Sequence, residues 1–536
     1  MKKFLRCISI IFLFLINNLA AQSTFQKIFY HTNPGFQLED QINKLIIDSN
    51  QDFVFAGHSR EIVSFTSWPS LFKTDQNGSL IWYKFYEYNI FSSSVTSLIE
   101  DLDGNYLLTG YVYDSLGQTF TSFLMKTDSA GGIVWSKIIP FSSATISLVE
   151  LSISGDYIFC AGIVNNYIQG SLQDVCIVKI DSGGNIIWSK YLTNNVSNEA
   201  FDIVATQDNG CVFIGSMLID NSPLDRDIYY GKLDSTGNRQ WTKRIVLPGY
   251  DAGQHIEQTD DKGFIICGII GGLGFGSNDV LLYKTDSLGD IVWAKIIGTT
   301  KSETPAEMIK LPYGGWLISG SVSDTNNHMS ALNIRIDSMG NLLSANIYGL
   351  NDGTGFSANA AHNDYFVFAG AYNYLPPNGL LLPYIIKTDT VGISGCIENS
   401  YLLFDSTITL TVQDVSDTVV DGGLLLVDVM MNVYDETINI ADSEFCFVNS
   451  IIDINFDTHI KLFPNPNNGS FSIQIDDVVN GKFIIFNSLG KIIYEQTISN
   501  SDFVTSDQNL TPGFYILKLI DNKSKTITTL KLIVQF

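Results

Sequence analysis

One string recurs along this chain at a nearly fixed interval. FKTDQNGSLIWYK at 72–84 returns as MKTDSAGGIVWSK at 125–137, VKIDSGGNIIWSK at 178–190, GKLDSTGNRQWTK at 231–243 and YKTDSLGDIVWAK at 283–295. Weaker copies follow at 334–346 and 386–396. The aligned aspartates are Asp75, Asp128, Asp181, Asp234, Asp286, Asp337 and Asp389, spaced 51–53 residues apart. A second string, of the type QDFVFAG or GNYLLTG, keeps step with the first and ends on Gly57, Gly110, Gly162, Gly215, Gly268, Gly320 and Gly370. Two strings in register over seven copies mark a repeat architecture, in which each unit buries its apolar face against its neighbours.

Each copy parses as four strands. An apolar stretch leads through an Asn/Asp/Gly turn to a strand ending on the glycine. A third strand ends in K-x-D, and a fourth is centred on Trp. The glycine three residues after each aspartate supplies the positive φ that a hairpin turn requires. Four strands in about 50 residues is the size of a propeller blade, and no 3.6-residue period points to helices. The last copy stops at Gly395 without a Trp strand. Near the other end, Phe25-x-Lys27 matches the W-x-K of the Trp strands. The expectation is therefore an all-β chain whose residues 22–395 form a seven-bladed β-propeller closed by the N-terminal strand.

Lys2, Lys3 and Arg6 precede the apolar run ISIIFLFLI at 8–16, and Ala20 and Ala21 supply a small-residue cleavage site. Residues 1–21 therefore read as a signal peptide. That run is too short for a typical transmembrane span, and no later run is long enough. With 45% hydrophobic residues the chain can bury large cores, and its formal charge of −24 disfavours nucleic acid as a partner. Cys160, Cys176, Cys211 and Cys267 sit in apolar strand-like runs and read as small buried hydrophobes. Cys396 and Cys446 flank a separate segment and are a possible disulfide pair.

The repeats resemble delta-60-type propeller repeats of bacterial surface and secreted proteins, a resemblance that implies a fold but no particular activity. After them, residues 396–458 break the pattern and read as a β-rich linker or small extension. Residues 459–536 carry LFPNPNNGSFSIQI, FIIFNSLGKIIYEQTI and LTPGFYILKLIDN, strands separated by turn residues, and read as a compact β-sandwich. This end resembles the type A C-terminal sorting domain of the type IX secretion system of Bacteroidota. The matching residues are Pro464, Asn465, Pro466 and Gly469, then Gly490 and Lys491, then Leu510, Gly513, Phe514 and Tyr515, and finally Lys531 to Val534. The resemblance implies Sec-type export, passage through the outer membrane, and release or attachment at the cell surface, with the type IX machinery as partner.

Chemistry is harder to find. The repeated aspartates read as turn residues and the repeated tryptophans as packing between repeats. The run Glu100 to Asn105 looks like a fragment of a calcium loop, but the full pattern is absent and the run falls on a hairpin turn. The histidines at 31, 58, 255, 328, 362 and 459 show no metal spacing. No catalytic motif and no cofactor is indicated, and no blade departs enough from the others to announce a site. Uniform loop lengths favour a binding or structural module over an enzyme, with a glycan or a protein as ligand. The alternative is an extracellular polysaccharide hydrolase or lyase, with its site at the central channel.

Overall fold

The computed structural model describes residues 24–444, apart from short loop stretches of which the longest are 33–37, 167–172 and 375–379, and most of 460–534. The expected signal peptide lies outside the described residues. The chain divides into two compact units, Met1–Cys446 and Phe447–Phe536.

In the first unit every repeat is an antiparallel meander. Leu38–Ile47, Phe53–Glu61, Ser67–Thr74 and Leu80–Glu87 pair in chain order. The pattern restarts at Ser92, Ala144, Asn198, Ala252, Ser302 and Gly355. The seventh repeat has three strands of its own, and its fourth is the N-terminal strand Phe25–His31, which pairs with Leu380–Asp389 (Phe25 opposite Lys387). Among the described residues the first unit holds five five-stranded sheets and one ten-stranded sheet, none of which closes on itself. The ten-stranded sheet joins the fifth and sixth repeats through a single parallel pair, Asn278 with Ser302.

The turn chemistry follows from the repeated residues. In each K-x-D-x-x-G turn, one aspartate oxygen accepts backbone N–H groups two and four residues on, as Asp75 does from Asn77 and Ser79 at 2.8 Å each. In six of the seven turns the glycine then packs on an aromatic ring of the preceding repeat, while Gly392 meets Asn346 and Asn333. A Cβ on Gly237, where φ is +83°, would come within 3.1 Å of Trp188, and one on Gly78 within 2.5 Å of Phe25. The tryptophans thus pack between repeats, and Phe25 takes the same place between the seventh repeat and the first. In four repeats the K-x-D lysine anchors the first hairpin of its own repeat, as in Lys73–Asp48 at 2.7 Å and Lys126–Asp101 at 2.6 Å, whereas Lys179 and Lys387 bond to carbonyl oxygens of the fourth and first repeats.

Apolar cores lie between successive repeats. Ile228, Tyr230 and Ile245 of the fourth repeat pack with Ile266, Leu281 and Tyr283 of the fifth. Phe29, Ala358 and Val367 of the seventh pack with Ile42, Phe53 and Phe72 of the first.

Each repeat also gains a fifth strand, supplied by residues within the segment 396–458 that the sequence reads as a β-rich linker or small extension. Residues 398–444 pair in turn with the fourth strand of each of the seven repeats, taken in reverse order. Glu398–Ser400 pairs with the sixth repeat, Phe404–Thr407 with the fifth, Thr411–Asp414 with the fourth and Thr418–Asp421 with the third. Val427–Asp428 pairs with the second, Asn432–Asp435 with the first and Ile440–Glu444 with the N-terminal strand. This belt covers edges that would otherwise present unpaired backbone groups. Its side chains supply two further contacts. Leu403, Leu410 and Met431 are buried in the cores between repeats. Asp414, Asp421, Asp428, Asp435 and Asp442 recur every seven residues. Four of them pair with a W-x-K or F-x-K lysine, as in Lys137–Asp428 at 2.6 Å and Lys27–Asp442 at 2.8 Å, while Asp435 stands opposite Lys84 in register.

In the second unit, Ile460–Phe463, Ser470–Asn487, Gly513–Asp521 and Thr526–Val534 pair in that order, and Ile492–Asp507 adds to Ser470–Asn487. Among the described residues the expected sandwich is thus one five-stranded antiparallel sheet by pairing. Its longest pair breaks register around Val479.

Candidate functional site

The first strand of every repeat carries one irregularity at the same place. Its pairing with the second strand skips a residue between Ile42 and Lys44, Val95 and Ser97, Leu148 and Glu150, Ala200 and Asp202, Gly253 and His255, Pro305 and Glu307, and Phe356 and Ala358. A bulge re-aims the side chain that follows it. The repeat glycine sits opposite, and its missing side chain is what admits the bulged backbone. A Cβ on Gly57 would lie 1.8 Å from the Gln41 carbonyl oxygen, and one on Gly215 1.9 Å from that of Glu199. The repeated glycine of the sequence is therefore the local cause of the site.

The re-aimed residues are Lys44, Ser97, Glu150, Asp202, His255, Glu307 and Ala358, one from each repeat. Six of them, all but Ala358, are linked by contacts or charge interactions, some between neighbouring repeats and some between repeats far apart in the chain. Lys44 Nζ lies 2.9 Å from Glu150 Oε2 and 2.9 Å from Glu307 Oε1, joining the first repeat to the third and the sixth. Ser97 donates to Glu150 Oε1 at 2.5 Å. His255 Nδ1 stands 3.6 Å from Asp202 Oδ2, and its Nε2 meets the Ala306 carbonyl oxygen. Backbone N–H groups of Ile256 and Asn359 donate to Asp202 and Glu307 at 2.8 and 2.9 Å. The side chains of Lys44, Glu150, Asp202, His255 and Glu307 are each only 11–14% exposed.

Burial opposes the Lys44 charge, but Glu150 and Glu307, with Asp202 behind them, outweigh it and hold the ammonium well above the ordinary lysine range. Burial likewise pulls His255 down, and the hydrogen-bonded Asp202 carboxylate turns the shift upward. A carbonyl on one ring nitrogen and a carboxylate on the other both suit the imidazolium. Glu257 is pushed up to about 7, first by burial and then by Asp202. The centre is thus a mutually satisfied charge cluster with one carboxyl poised near neutrality. One ammonium binds both Glu150 and Glu307, while burial, with Asp202 adding, holds the Glu150 carboxyl above its ordinary range against the pull of Lys44.

The sequence-predicted residues fall elsewhere. Asp101 accepts from the backbone of Asp103 and Asn105 at 2.9 Å each and pairs with Lys126, so the calcium-loop fragment is a capped hairpin. Among the described residues no three His, Cys, Asp or Glu side chains are grouped to hold a metal ion. Trp68 stacks on Phe85, and Trp316 is buried. Cys160, Cys176, Cys211 and Cys267 are free and buried. Cys396 is disulfide-bonded, while Cys446 lies outside the described residues.

Of the sorting-signal residues, Pro464, Asn465, Pro466, Gly469, Gly490 and Lys491 also lie outside the described residues. Gly513, Tyr515 and Lys531 come together on one strand pair, with Gly513 opposite Val534, buried Tyr515 opposite Leu532 and Lys531 opposite Ile516. Residues 461–535 match the secretion system C-terminal sorting domain. That match marks the chain for type IX export to the outer surface or the medium. Among the described residues no helix is long and apolar enough to cross a membrane.

Outside that domain the comparisons are sparse. A stretch of 166 residues is 28% identical to the ulvan lyase NLR42 of Nonlabens ulvanivorans, covering 30% of this chain and 27% of that protein. The chain thus spans about a quarter of the length of this curated relative. Among solved structures, an α-L-arabinofuranosidase from Fusarium graminearum aligns over 68% of this chain and 98% of its own at 11% identity, with a TM-score of 0.37. A puromycin hydrolase aligns over 67% of this chain and 53% of its own at 12% identity, with a TM-score of 0.42.

The sequence reading missed the central cluster. Its signal is the column 12–13 residues before each repeat glycine, which reads Lys, Ser, Glu, Asp, His, Glu, Ala down the seven copies. The repeat is uniform at its turns and glycines and varies at this column in ionisable type.

Proposed function

We propose that this exported protein is a seven-bladed propeller acting outside the cell as a non-catalytic binding or structural module. Ring closure is supported by the pairing of Phe25–His31 into the seventh repeat and by the core shared between the seventh repeat and the first. The function rests on one observation: Lys44 holds both Glu150 and Glu307, so the centre is filled by charges that satisfy one another. Such a plug ties distant blades together and leaves recognition to the outer surfaces. The test is a glycan array run beside a polysaccharide-degradation screen, both on the full secreted chain. Binding without turnover is the expected result, and turnover of any polysaccharide overturns it.

A second reading has its own support. Glu257, near neutrality beside the His255–Asp202 pair, has the acid–base poise that polysaccharide cleavage uses. The partial similarity to an ulvan lyase names a substrate to try. If ulvan yields unsaturated uronate products and Glu257→Gln abolishes them without lowering the thermal midpoint, this reading replaces the first.

A further inference from the structure

The belt has no free end. Its first strand, Glu398–Ser400, begins two residues after Cys396, and Glu398 accepts from the Gly395 backbone at 2.8 Å and from the Ser394 hydroxyl at 2.6 Å. Ser394 in turn meets the start of the N-terminal strand. Its carbonyl accepts from Thr24 Oγ1 at 2.6 Å, and its hydroxyl from Gln26 Nε2 at 2.8 Å. The last belt strand returns to that same N-terminal strand, with Glu444 opposite Lys27. A belt paired with all seven repeats therefore begins and ends at the Thr24–Lys27 segment. Cys396 stands two residues from Ser394, and Cys446 follows two residues after Glu444. Cys396 is disulfide-bonded, while the four cysteines of the repeats are free.

We propose that Cys396 pairs with Cys446, closing the belt into a covalent hoop around the repeats, and that this bond is an oxidation-dependent lock on a separately docking element. Closing it oxidises two thiols to one disulfide. The two electrons and two protons pass to a thiol oxidant of an oxidising compartment such as the one exported chains cross. The belt can dock only on fourth strands that are already paired, including Phe25–His31, so it is the last element to settle. Its contacts do not hold it firmly alone. Its strands are two to five residues long, and the aspartates in Lys137–Asp428 and Lys190–Asp421 have side chains 82% and 85% exposed. The bond matters because it restricts where the undocked belt can go.

The experiment uses the full secreted chain. A non-reducing digest should yield a peptide pair linking Cys396 to Cys446, and a link from Cys396 to any other residue overturns the proposal. Mild reductant should then raise proteolytic cutting within 398–444 at least tenfold while Cys160, Cys176, Cys211 and Cys267 stay closed to thiol labelling. The labelling separates release of the belt from unfolding of the repeats. Unchanged belt cutting after reduction, or labelling of the four repeat thiols at the same rate, overturns the lock. The Cys396→Ser, Cys446→Ser double variant should match the reduced protein. If it is not secreted, the wild-type reduction series alone decides.

Discussion

Single residues in this protein do their work through what they exclude. Gly215 has no side chain because the bulged strand opposite occupies that space, with a built Cβ 1.9 Å from a carbonyl oxygen. Gly215→Ala should cost about 3 kcal/mol in urea unfolding, since neither backbone can give way easily. Gly355→Ala is the control, because its Cβ would clear every neighbour by 3.6 Å. That change should be close to neutral. Lys44 carries a different burden. Removing it leaves Glu150 and Glu307 buried without their cation, so Lys44→Met should destabilise by about 3–5 kcal/mol. Adding Glu150→Gln and Glu307→Gln should recover part of that loss, which a multiple-mutant cycle would show as strong coupling. If the triple variant is less stable than Lys44→Met, the cluster is not held by these pairs.

At the scale of elements, the repeat explains why so little of it is free for chemistry. The K-x-D aspartate caps its turn, its lysine in four repeats anchors a hairpin, the turn glycine in six seats an aromatic ring, and the W-x-K lysine faces the belt. What varies is the first strand, aimed by its bulge. The belt contributes by covering edges more than through its ion pairs. Asp421→Asn alone should therefore change stability by less than about 1 kcal/mol, since surface pairs contribute little. Deleting 398–444 should instead leave the seven fourth strands with an unpaired edge and drive concentration-dependent association, visible by light scattering. A monodisperse monomer after that deletion would mean the edges are protected in another way.

For the whole molecule, several buried acids share one direction. Burial, with Asp227 and Asp225 adding, raises Asp251 to about 7, and burial with Asp417 raises Asp174 to about 6. Glu257 also stands at about 7. A carboxyl raised in the folded state is easiest to bury when protonated. The folded state therefore loses stability as pH climbs from the ordinary carboxylate range through about 7. His255, raised by Asp202 against its burial, contributes stability below its unfolded pKa that fades as pH passes its folded one. Asp48 and Asp101 oppose the trend. Burial would raise both, but Lys73 and Lys126 hold them low, so their stabilisation is lost in strong acid. Thermal midpoints should peak in mild acid and fall between pH 6 and about 8. A midpoint that rises over that interval would contradict these environments. Export has a separate test. A chain lacking 459–536 should accumulate in the periplasm, and its appearance in the medium would show that another signal directs it.

Local rules made much of this protein legible from its sequence. Turn residues, strand composition and a fixed period are written in short windows, so the four-stranded repeat, its turns, the N-terminal strand of the seventh repeat and the sorting domain could all be read there. The belt could not, because strands of two to five residues gain their meaning from partners up to 415 residues away, as in Lys27 with Asp442. Its only trace in the sequence is an aspartate every seven residues, a period that belongs to no strand or turn by itself. The central cluster was hidden for a related reason. Lys44, Glu150 and Glu307 are unremarkable in their own strands, and only the tertiary fold brings the bulged strands of the first, third and sixth repeats together and their charges within 2.9 Å. Periodicity reports what each repeat does for its neighbour, while convergence of unlike residues is decided by where the chain as a whole returns.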